Sequence, residues 1–436
     1  MPNLAPMSSL RRILVIAGGM LLGTVLATLF THSALFQRWF GGRELAESSA
    51  YVRDVLRIVN ESYYDPGAVK YDELTKSALR GVVQKLDPHS EFMDESTYRA
   101  MEEEIGGKFG GIGVQVETRG GRIVVISPIA DSPGERAGIQ RGDEIVGVDG
   151  ATLDQGTALS AVVSRLRGTP DTKVSVRIYR PADDRTLDLS LSREVIKVES
   201  VRNVRVLPGG VGYLQITEFA RPSGEEFGKA LEKLKAGGMT SLVLDLRNNP
   251  GGLLTAAVDV AERFFEKNEL VVYTQGRKPE DRDERRASGK HAPLKMPVAV
   301  LINSGSASAA EIVAGALKDT GRAVIVGERS FGKGSVQSII PLGNGQGLRL
   351  TTARYYTPAG VSIHEIGVSP HVEVIMSPAE DEQLGRQRAR PDITDPAEFR
   401  ERFGGAPVQD RQLQAAIDVL TGLRVFDQRV AQATPR

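Results

Sequence analysis

Two serines and a lysine are the side chains of this sequence best arranged for chemistry. Ser306 and Ser308 lie in Asn303-Ser304-Gly305-Ser306-Ala307-Ser308-Ala309-Ala310-Glu311, between the apolar run Val298 to Ile302 and a second apolar stretch, Ile312 to Leu317. The first run reads as a buried strand and the second as a helix. A small-residue turn between them presents a hydroxyl at a helix start, where the positive end of the dipole favours a developing oxyanion. Gly305 is read as the bend, and Ala307, Ala309 and Ala310 as room for a substrate carbonyl.

A serine is a weak nucleophile and needs a base within hydrogen-bond reach. The chain has five histidines. His32 lies in an apolar N-terminal segment, His89 in a Pro-containing turn with Ser90, and His291 in a charged loop. His364 and His371 lie downstream, with surface roles expected, and no orienting carboxylate stands near His364 in a recognised arrangement. Lys333 stands out instead, bracketed by glycines in Ser330-Phe331-Gly332-Lys333-Gly334-Ser335-Val336-Gln337 after the strand Ala323 to Gly327. A lysine in a dry pocket loses its charge more readily and can act as a general base. The expected pair is Ser plus Lys.

The elements that must position this pair follow from the whole chain. Its 436 residues suffice for two or three domains, and 55 basic side chains balance 55 acidic ones, which argues against a nucleic-acid partner. There is no cysteine, hence no disulfide and no lipid-attached cysteine. Arg11 and Arg12 precede Ile13 to Phe30, eighteen residues without a charge, long enough for a membrane helix and compatible with a secretory signal. The arginines keep the N-terminus inside. The lack of a small-x-small cleavage site near Thr31 to Leu35 favours an uncleaved anchor, with the rest of the protein outside the cytoplasm.

Glu44 to Ser62 and Tyr71 to Leu86 carry apolar residues at helical spacing and are followed by the turn Asp87-Pro88-His89-Ser90. From Lys108 the composition shifts to glycine and β-branched residues. Phe109-Gly110-Gly111-Ile112-Gly113-Val114 begins a strand, Leu159 to Leu166 a helix, and Lys173 to Tyr179 and Thr186 to Arg193 two strands. Arg165 and Arg167 end that helix. A second α/β region contains strands Gly212 to Thr217 and Ser241 to Leu246 and helices Gly224 to Ala236 and Leu253 to Phe265. Arg247-Asn248-Asn249-Pro250-Gly251-Gly252 lies at a helix start, where free N–H groups can hold an anion. Asp245 and Arg247 read as a structural pair. Gln275 to His291 reads as a charged surface loop and Arg386 to Gly405 as a linker, while Asp410 to Leu423 reads as a last helix. Gly327 to Gly334 nearly spells a phosphate-binding loop, but Gly334 stands where Ser or Thr would hold magnesium, and a strand follows.

Gly-Ser-Ala-Ser-Ala-Ala-Glu followed by Gly-Lys-Gly-Ser-Val-Gln resembles the carboxyl-terminal processing peptidases, or tail-specific proteases. That resemblance implies Ser308 as nucleophile, Lys333 as base and Gln337 as the residue that steadies the lysine. Ser306 is left as a turn residue by the family and not by spacing. Asp-Leu-Arg-x-Asn-Pro-Gly-Gly resembles a second signature of the family and implies oxyanion N–H groups at Gly251 or Gly252 and at Ala309. Gly-Ile-Gly-Val resembles the carboxylate-binding loop of PDZ domains, and Ser132 to Gly150 closely matches the rest of the PDZ pattern. Gly111, Ile112, Gly113 and Val114 would then cradle a peptide's terminal carboxylate while the peptide adds to the sheet edge. Arg167 is proposed to couple peptide binding to the protease. Glu311 is explained by the helix dipole alone, yet if charged and close it would raise the lysine's pKa.

The fold class expected is α/β and α+β multidomain: a PDZ domain before a crotonase- or ClpP-like α/β serine protease core, with helical N- and C-terminal regions. The boundaries are 1–42 for signal or anchor, 43–104 helical, 105–195 PDZ, 196–376 core and 377–436 linker and helix. The function expected is a serine endopeptidase of the cell envelope that recognises apolar protein C-termini. It requires no cofactor or metal. Its partners are protein substrates, the membrane, an activator or adaptor protein, and other copies of itself, since the family's terminal helices serve assembly. A silent PDZ adaptor, a crotonase-like acyl-CoA enzyme and a Ser-His-Asp protease are the competing readings.

Overall fold

The computed structural model describes residues 43–129, 131–389 and 393–433, so the apolar segment 13–30 lies outside the described residues. Two compact units divide at Pro88 and His89. In the first, helices α1 (Arg43–Ser62) and α2 (Tyr71–Gln84) form where the apolar spacing predicts them. Asn60 Nδ2 donates to the Val69 carbonyl at 2.7 Å and ties the connection between them.

The second unit opens with β1 (Glu91–Met93) and α3 (Glu95–Ile105), the helix being N-capped by Asp94. The expectation of a helical region to residue 104 changes here, because β1 pairs antiparallel with a strand of the core some 250 residues later. Three residues are too short for a periodicity to register.

Next come β2 (Lys108–Gly111), β3 (Val114–Arg119), β4 (Arg122–Pro128), the short α4 (Pro133–Arg136), β5 (Glu144–Val148), β6 (Ala151–Thr152), α5 (Leu159–Leu166), β7 (Lys173–Arg180), β8 (Arg185–Ser192) and β9 (Glu194–Lys197). β3-β4-β5-β7-β8 form one antiparallel sheet with β6 on β5, and β2 pairs β9. Ile123, Val125, Ile145, Val162, Val176 and Ile178 fill its core. The alternation along β7, with Val174, Val176 and Ile178 buried, is that of a half-buried strand.

The second α/β region begins with β10 (Val201–Leu207), β11 (Val211–Ile216), α6 (Ser223–Ala236), β12 (Ser241–Asp245), α7 (Leu254–Ala261), β13 (Leu270–Gln275), β14 (Arg282–Arg286) and β15 (Val298–Ile302). It continues with α8 (Ala309–Asp319), β16 (Val324–Gly327), β17 (Ser335–Pro341), β18 (Gly347–Tyr356) and β19 (Val372–Glu373). A six-stranded sheet runs β10-β11-β12-β15-β16-β19, parallel except for β10. Leu242, Leu244, Val300 and Ile302 face helices α6, α7 and α8, whereas Val243, Ala299 and Leu301 face the other way. Burial on both faces explains the unbroken apolar runs in β12 and β15. A second sheet, β1-β18-β13-β14 with β17 on β18, carries the lysine loop at one end.

Three helices close the chain: α9 (Pro378–Ala389), α10 (Pro396–Phe403) and α11 (Arg411–Ala433). The linker expected at 386–405 thus contains the end of α9 and all of α10, and Phe399 is fully buried. Ala416 and Leu420 of α11 cover the second face of the six-stranded sheet. The charged loop expected over 275–291 contains β14, all five of whose residues are exposed. An edge strand with charges on both faces leaves no apolar alternation to read, and those charges discourage further pairing.

Candidate active site

β15 ends at Ile302 and α8 starts at Ala309, and the turn between them is held from inside. The Ser306 hydroxyl donates to Leu246 O at 2.8 Å and accepts from Asn303 N–H at 3.0 Å, fully buried. Asn303 and Asn248 exchange two further hydrogen bonds, N–H to Oδ1 at 2.8 Å and Nδ2 to Oδ1 at 2.9 Å. With its hydroxyl engaged on both sides, Ser306 belongs to the scaffold.

Ser308 has φ 54° and ψ −113°, a conformation costly for a side-chain-bearing residue. The sharp bend expected at Gly305 therefore lies at Ser308. Gly305 is glycine because a Cβ there would stand 2.5 Å from Asn248 Oδ1. Nor do the alanines leave open space: Ala309 and Ala310 have no exposed surface and pack into the main core. Their small size lets α8 approach the Asn-Pro-Gly-Gly turn.

At that turn Gly251 has φ +108° and backs directly onto the serine; a Cβ on it would lie 2.7 Å from Ser308 Cβ. Its N–H donates to Asn249 Oδ1 at 2.9 Å, buried. The N–H groups of Gly252 and Ala309 make no hydrogen bond among the described residues. Of the two glycines, Gly252 is the one with a donor to spare.

Glu311, with no exposed surface, gathers the site. Its Oε2 accepts from Ser308 N–H at 2.8 Å and from Lys333 N–H at 2.9 Å, while its Oε1 accepts from Ser330 Oγ at 2.6 Å and Gly332 N–H at 2.7 Å. Burial pushes its carboxyl above the ordinary value, and these four donors pull it back only in part. The sequence offered the helix dipole for Glu311 and, if it were close, an effect on Lys333; its hydrogen bonds to the backbone of the lysine loop, up to 22 positions away, carry no local signal.

Lys333 is half-buried, and burial, followed by the charge of Arg349, holds its ammonium below the ordinary lysine value. Glu311 pulls the other way, as expected, but as the smallest of the three influences. The Lys333 amine and the Ser308 hydroxyl are not hydrogen-bonded to one another among the described residues. Gln337 follows a bulge in β17 and donates through Nε2 to Ser335 Oγ at 3.0 Å and Thr351 Oγ1 at 3.1 Å. These bonds orient its amide, and among the described residues it forms no hydrogen bond to Lys333.

The histidines divide. His364 packs against the lysine loop, so closely that a Cβ on Gly334 would lie 2.3 Å from His364 N. Its Nδ1 is buried with no partner among the described residues, and its Nε2 stands 3.7 Å from Glu365, an exposed carboxylate. His371 is exposed, in keeping with the surface role expected of it, and its Nδ1 accepts from Ile325 N–H at 3.0 Å. Among the described residues no three His, Asp or Glu side chains converge to hold a metal.

A second candidate site is a groove of about 1030 Å³ between β3 and α5, lined by Gly111, Ile112, Gly113, Val114, Val163 and Leu166. Gly113 has φ +70° and sits against Ser132, whose hydroxyl donates to its carbonyl at 3.0 Å. The carbonyl of Ile112 is taken by Gly134 N–H at 2.7 Å. Arg167 lies at the groove, its guanidinium 4.4 Å from the centre of the Phe109 ring, and forms no ion pair with the core among the described residues.

Residues 210–374 match peptidase family S41 and residues 110–191 match the PDZ domain. A carboxy-terminal-processing protease of Bartonella bacilliformis is 41% identical over 367 residues, spanning 80% of this chain and 83% of that protein. The chain belongs to peptidase family S41. A probable CtpA-like serine protease of Staphylococcus aureus is 34% identical over 358 residues, 82% of this chain and 71% of that one. Among solved structures, the photosystem II D1 C-terminal processing protease is 33% identical and aligns over 74% of this chain and 92% of its own, with a TM-score of 0.44. This S41 peptidase is a serine-type peptidase with a PDZ domain ahead of its core, which removes the acyl-CoA enzyme from the readings open at the start.

Proposed function

We propose that this S41 peptidase cleaves protein chains with Ser308 as nucleophile and Lys333 as general base, and selects substrates by binding their apolar C-termini in the PDZ groove. The observation that carries the reading is Glu311 Oε2, which accepts the backbone N–H of both residues and so fixes their two loops together.

In this mechanism the neutral Lys333 amine takes the Ser308 proton as Oγ attacks the scissile carbonyl. The oxyanion is met by the N–H groups of Ala309 and Gly252, at the start of α8 and on the adjoining turn. The resulting ammonium gives its proton to the leaving amine as the C–N bond breaks, and water, activated by the same lysine, releases the acyl group. Lys333 closes onto Ser308 when substrate is bound, as catalytic hydrogen bonds often do. Gln337 presents its carbonyl oxygen to the amine. Gly111 to Val114 receive the substrate's terminal carboxylate, and Arg167 passes the presence of a peptide to the core. Residues 13–30 anchor the chain so that the peptidase works in the cell envelope.

The test is cleavage of an unstructured protein with an apolar C-terminus by the full chain in mild detergent. Wild type cuts, and Ser308→Ala and Lys333→Ala, both folded, do not. Retained cutting by either variant rejects the pair. Binding of the tail without cutting by wild type makes the PDZ adaptor the better reading.

A further inference from the structure

Asp381, in the first turn of α9, meets both of the turns that build the site. Its Oδ2 accepts from Asn248 Nδ2 at 3.2 Å and from Asn303 Nδ2 at 3.4 Å. Asn248 stands at the start of the turn that carries Gly252, and Asn303 at the start of the turn that carries Ser308. Asp381 itself lies beyond the span 210–374 that matches the peptidase family. The carboxylate is fixed by its surroundings. Next to it, Glu380 accepts from the N–H of Ser377 at 2.7 Å and from its hydroxyl at 2.9 Å, and from Arg411 at 3.0 Å. Just before the helix, Met376 N–H donates to Glu328 at 2.9 Å, and three residues after Asp381 the side chain of Leu384 is buried.

An ionised carboxylate only accepts, so both amides must turn their NH₂ groups toward it. That choice sets the rest of the network. Asn303 Oδ1 is left to accept the N–H groups of Asn248 at 2.8 Å and Gly305 at 3.1 Å, while Asn303 Nδ2 also donates to Asn248 Oδ1 at 2.9 Å. Asn303 is 3% exposed, so loss of Asp381 removes the acceptor of a buried amide proton. A flipped Asn303 amide would set its NH₂ against two backbone N–H groups.

We propose that Asp381 is a positioning residue for the cleavage reaction: by fixing the direction of the Asn248 and Asn303 amides, it keeps the Ser308 turn in register with the turn that offers the Gly252 N–H to the oxyanion. It acts through these side chains and exchanges no proton with the substrate. The proposal rests on Ser308 as nucleophile with Lys333 as base, and the alanine variants of those two, run in the same assay, separate a failure of that reading from a failure of the carboxylate's role.

The experiment is steady-state cleavage of the tailed substrate by the full chain carrying Asp381→Ala or Asp381→Asn, with the rate at which a fluorophosphonate labels Ser308. Activity is expressed per serine finally labelled, which leaves unfolded molecules out of the count. Asp381→Ala should reduce kcat roughly 10-fold, as a small misalignment of reacting groups does. KM should stay within about twofold, because no substrate contact is lost. Labelling slows by the same factor as kcat. Asp381→Asn keeps an oxygen that can take both N–H groups and should recover kcat to within about threefold of wild type. An unchanged kcat per labelled serine in Asp381→Ala overturns the proposal, as does a rise in KM alone or an equal loss in both variants. Should Asp381→Ala not fold, Asn248→Gly removes the carboxylate's exposed partner at a position of φ 57°, which glycine adopts without strain. It should show the same loss confined to kcat, and a full kcat there rejects the role.

Discussion

Ser308 and Lys333, 25 positions apart in the chain, donate their backbone N–H groups to the same oxygen, Oε2 of Glu311, at 2.8 and 2.9 Å. A glutamine at 311 has one acceptor oxygen for four donors, and its NH₂ would face two of them. Glu311→Gln should lower stability by about 2–3 kcal/mol through unsatisfied buried donors. It should also reduce kcat more than a hundredfold, since small displacements of reacting groups are costly. Thermal melting and peptide cleavage on the same preparation measure both, and a variant with normal kcat would leave Glu311 a mere helix cap.

The pH dependence of cleavage should follow Lys333. Burial and then Arg349 depress its pKa, so the free base, and with it kcat/KM, appears as pH rises through a value below that of an ordinary lysine. Removing the nearby cation favours the ammonium form. Arg349→Gln is expected to move the rising limb to higher pH and to lower activity at neutral pH, with the high-pH plateau retained. The partner of Arg349, Glu91, is partly exposed and tolerates the loss.

The two serines of the turn should part cleanly under substitution. Ser306→Ala removes a buried hydroxyl that bridges Leu246 O and Asn303 N–H, and should lower stability by about 1–3 kcal/mol while the folded protein still cuts. Ser308→Ala should abolish cutting with little change in melting temperature. The reverse pattern in melts and cleavage rates would exchange their roles.

The C-terminal helices should prove integral to the core. Buried Arg247 pairs with Asp245 at 2.6 Å and with Asp410, just before α11, at 2.7 Å. Asp410→Ala leaves part of that charge unpaired and should cost about 3–5 kcal/mol, read by denaturant melts. Burial opposes ionisation of Asp245, but Arg247 and Arg388 outweigh it and hold its pKa at about 2. The sign follows: its contribution to stability is whole above the ordinary aspartate value and is lost as pH falls toward about 2. A wild-type stability that already declines near neutral pH would have to come from other groups.

Local features were legible in the residues alone. Apolar patterning set α1, α2, α6, β12 and β15 close to their observed ends, and small-residue turns marked the two places where a strand hands the chain to a helix start. Residue types at those turns, with their family resemblance, were enough to single out Ser308, Lys333 and the glycine pair. The rest depends on contacts between distant segments. That Gly251 has spent its N–H on Asn249, that Ser306 is engaged on both sides, and that Glu311 joins the serine to the lysine loop leave no trace in local pattern. β1, β14 and α10 were hidden for a related reason: one is too short, one is charged on both faces, and one is a short helix in which charged residues separate Phe399 from Phe403. Propensity and periodicity report a segment's preference for an environment, while a shared carboxylate oxygen is a property of the packing that brings three segments together.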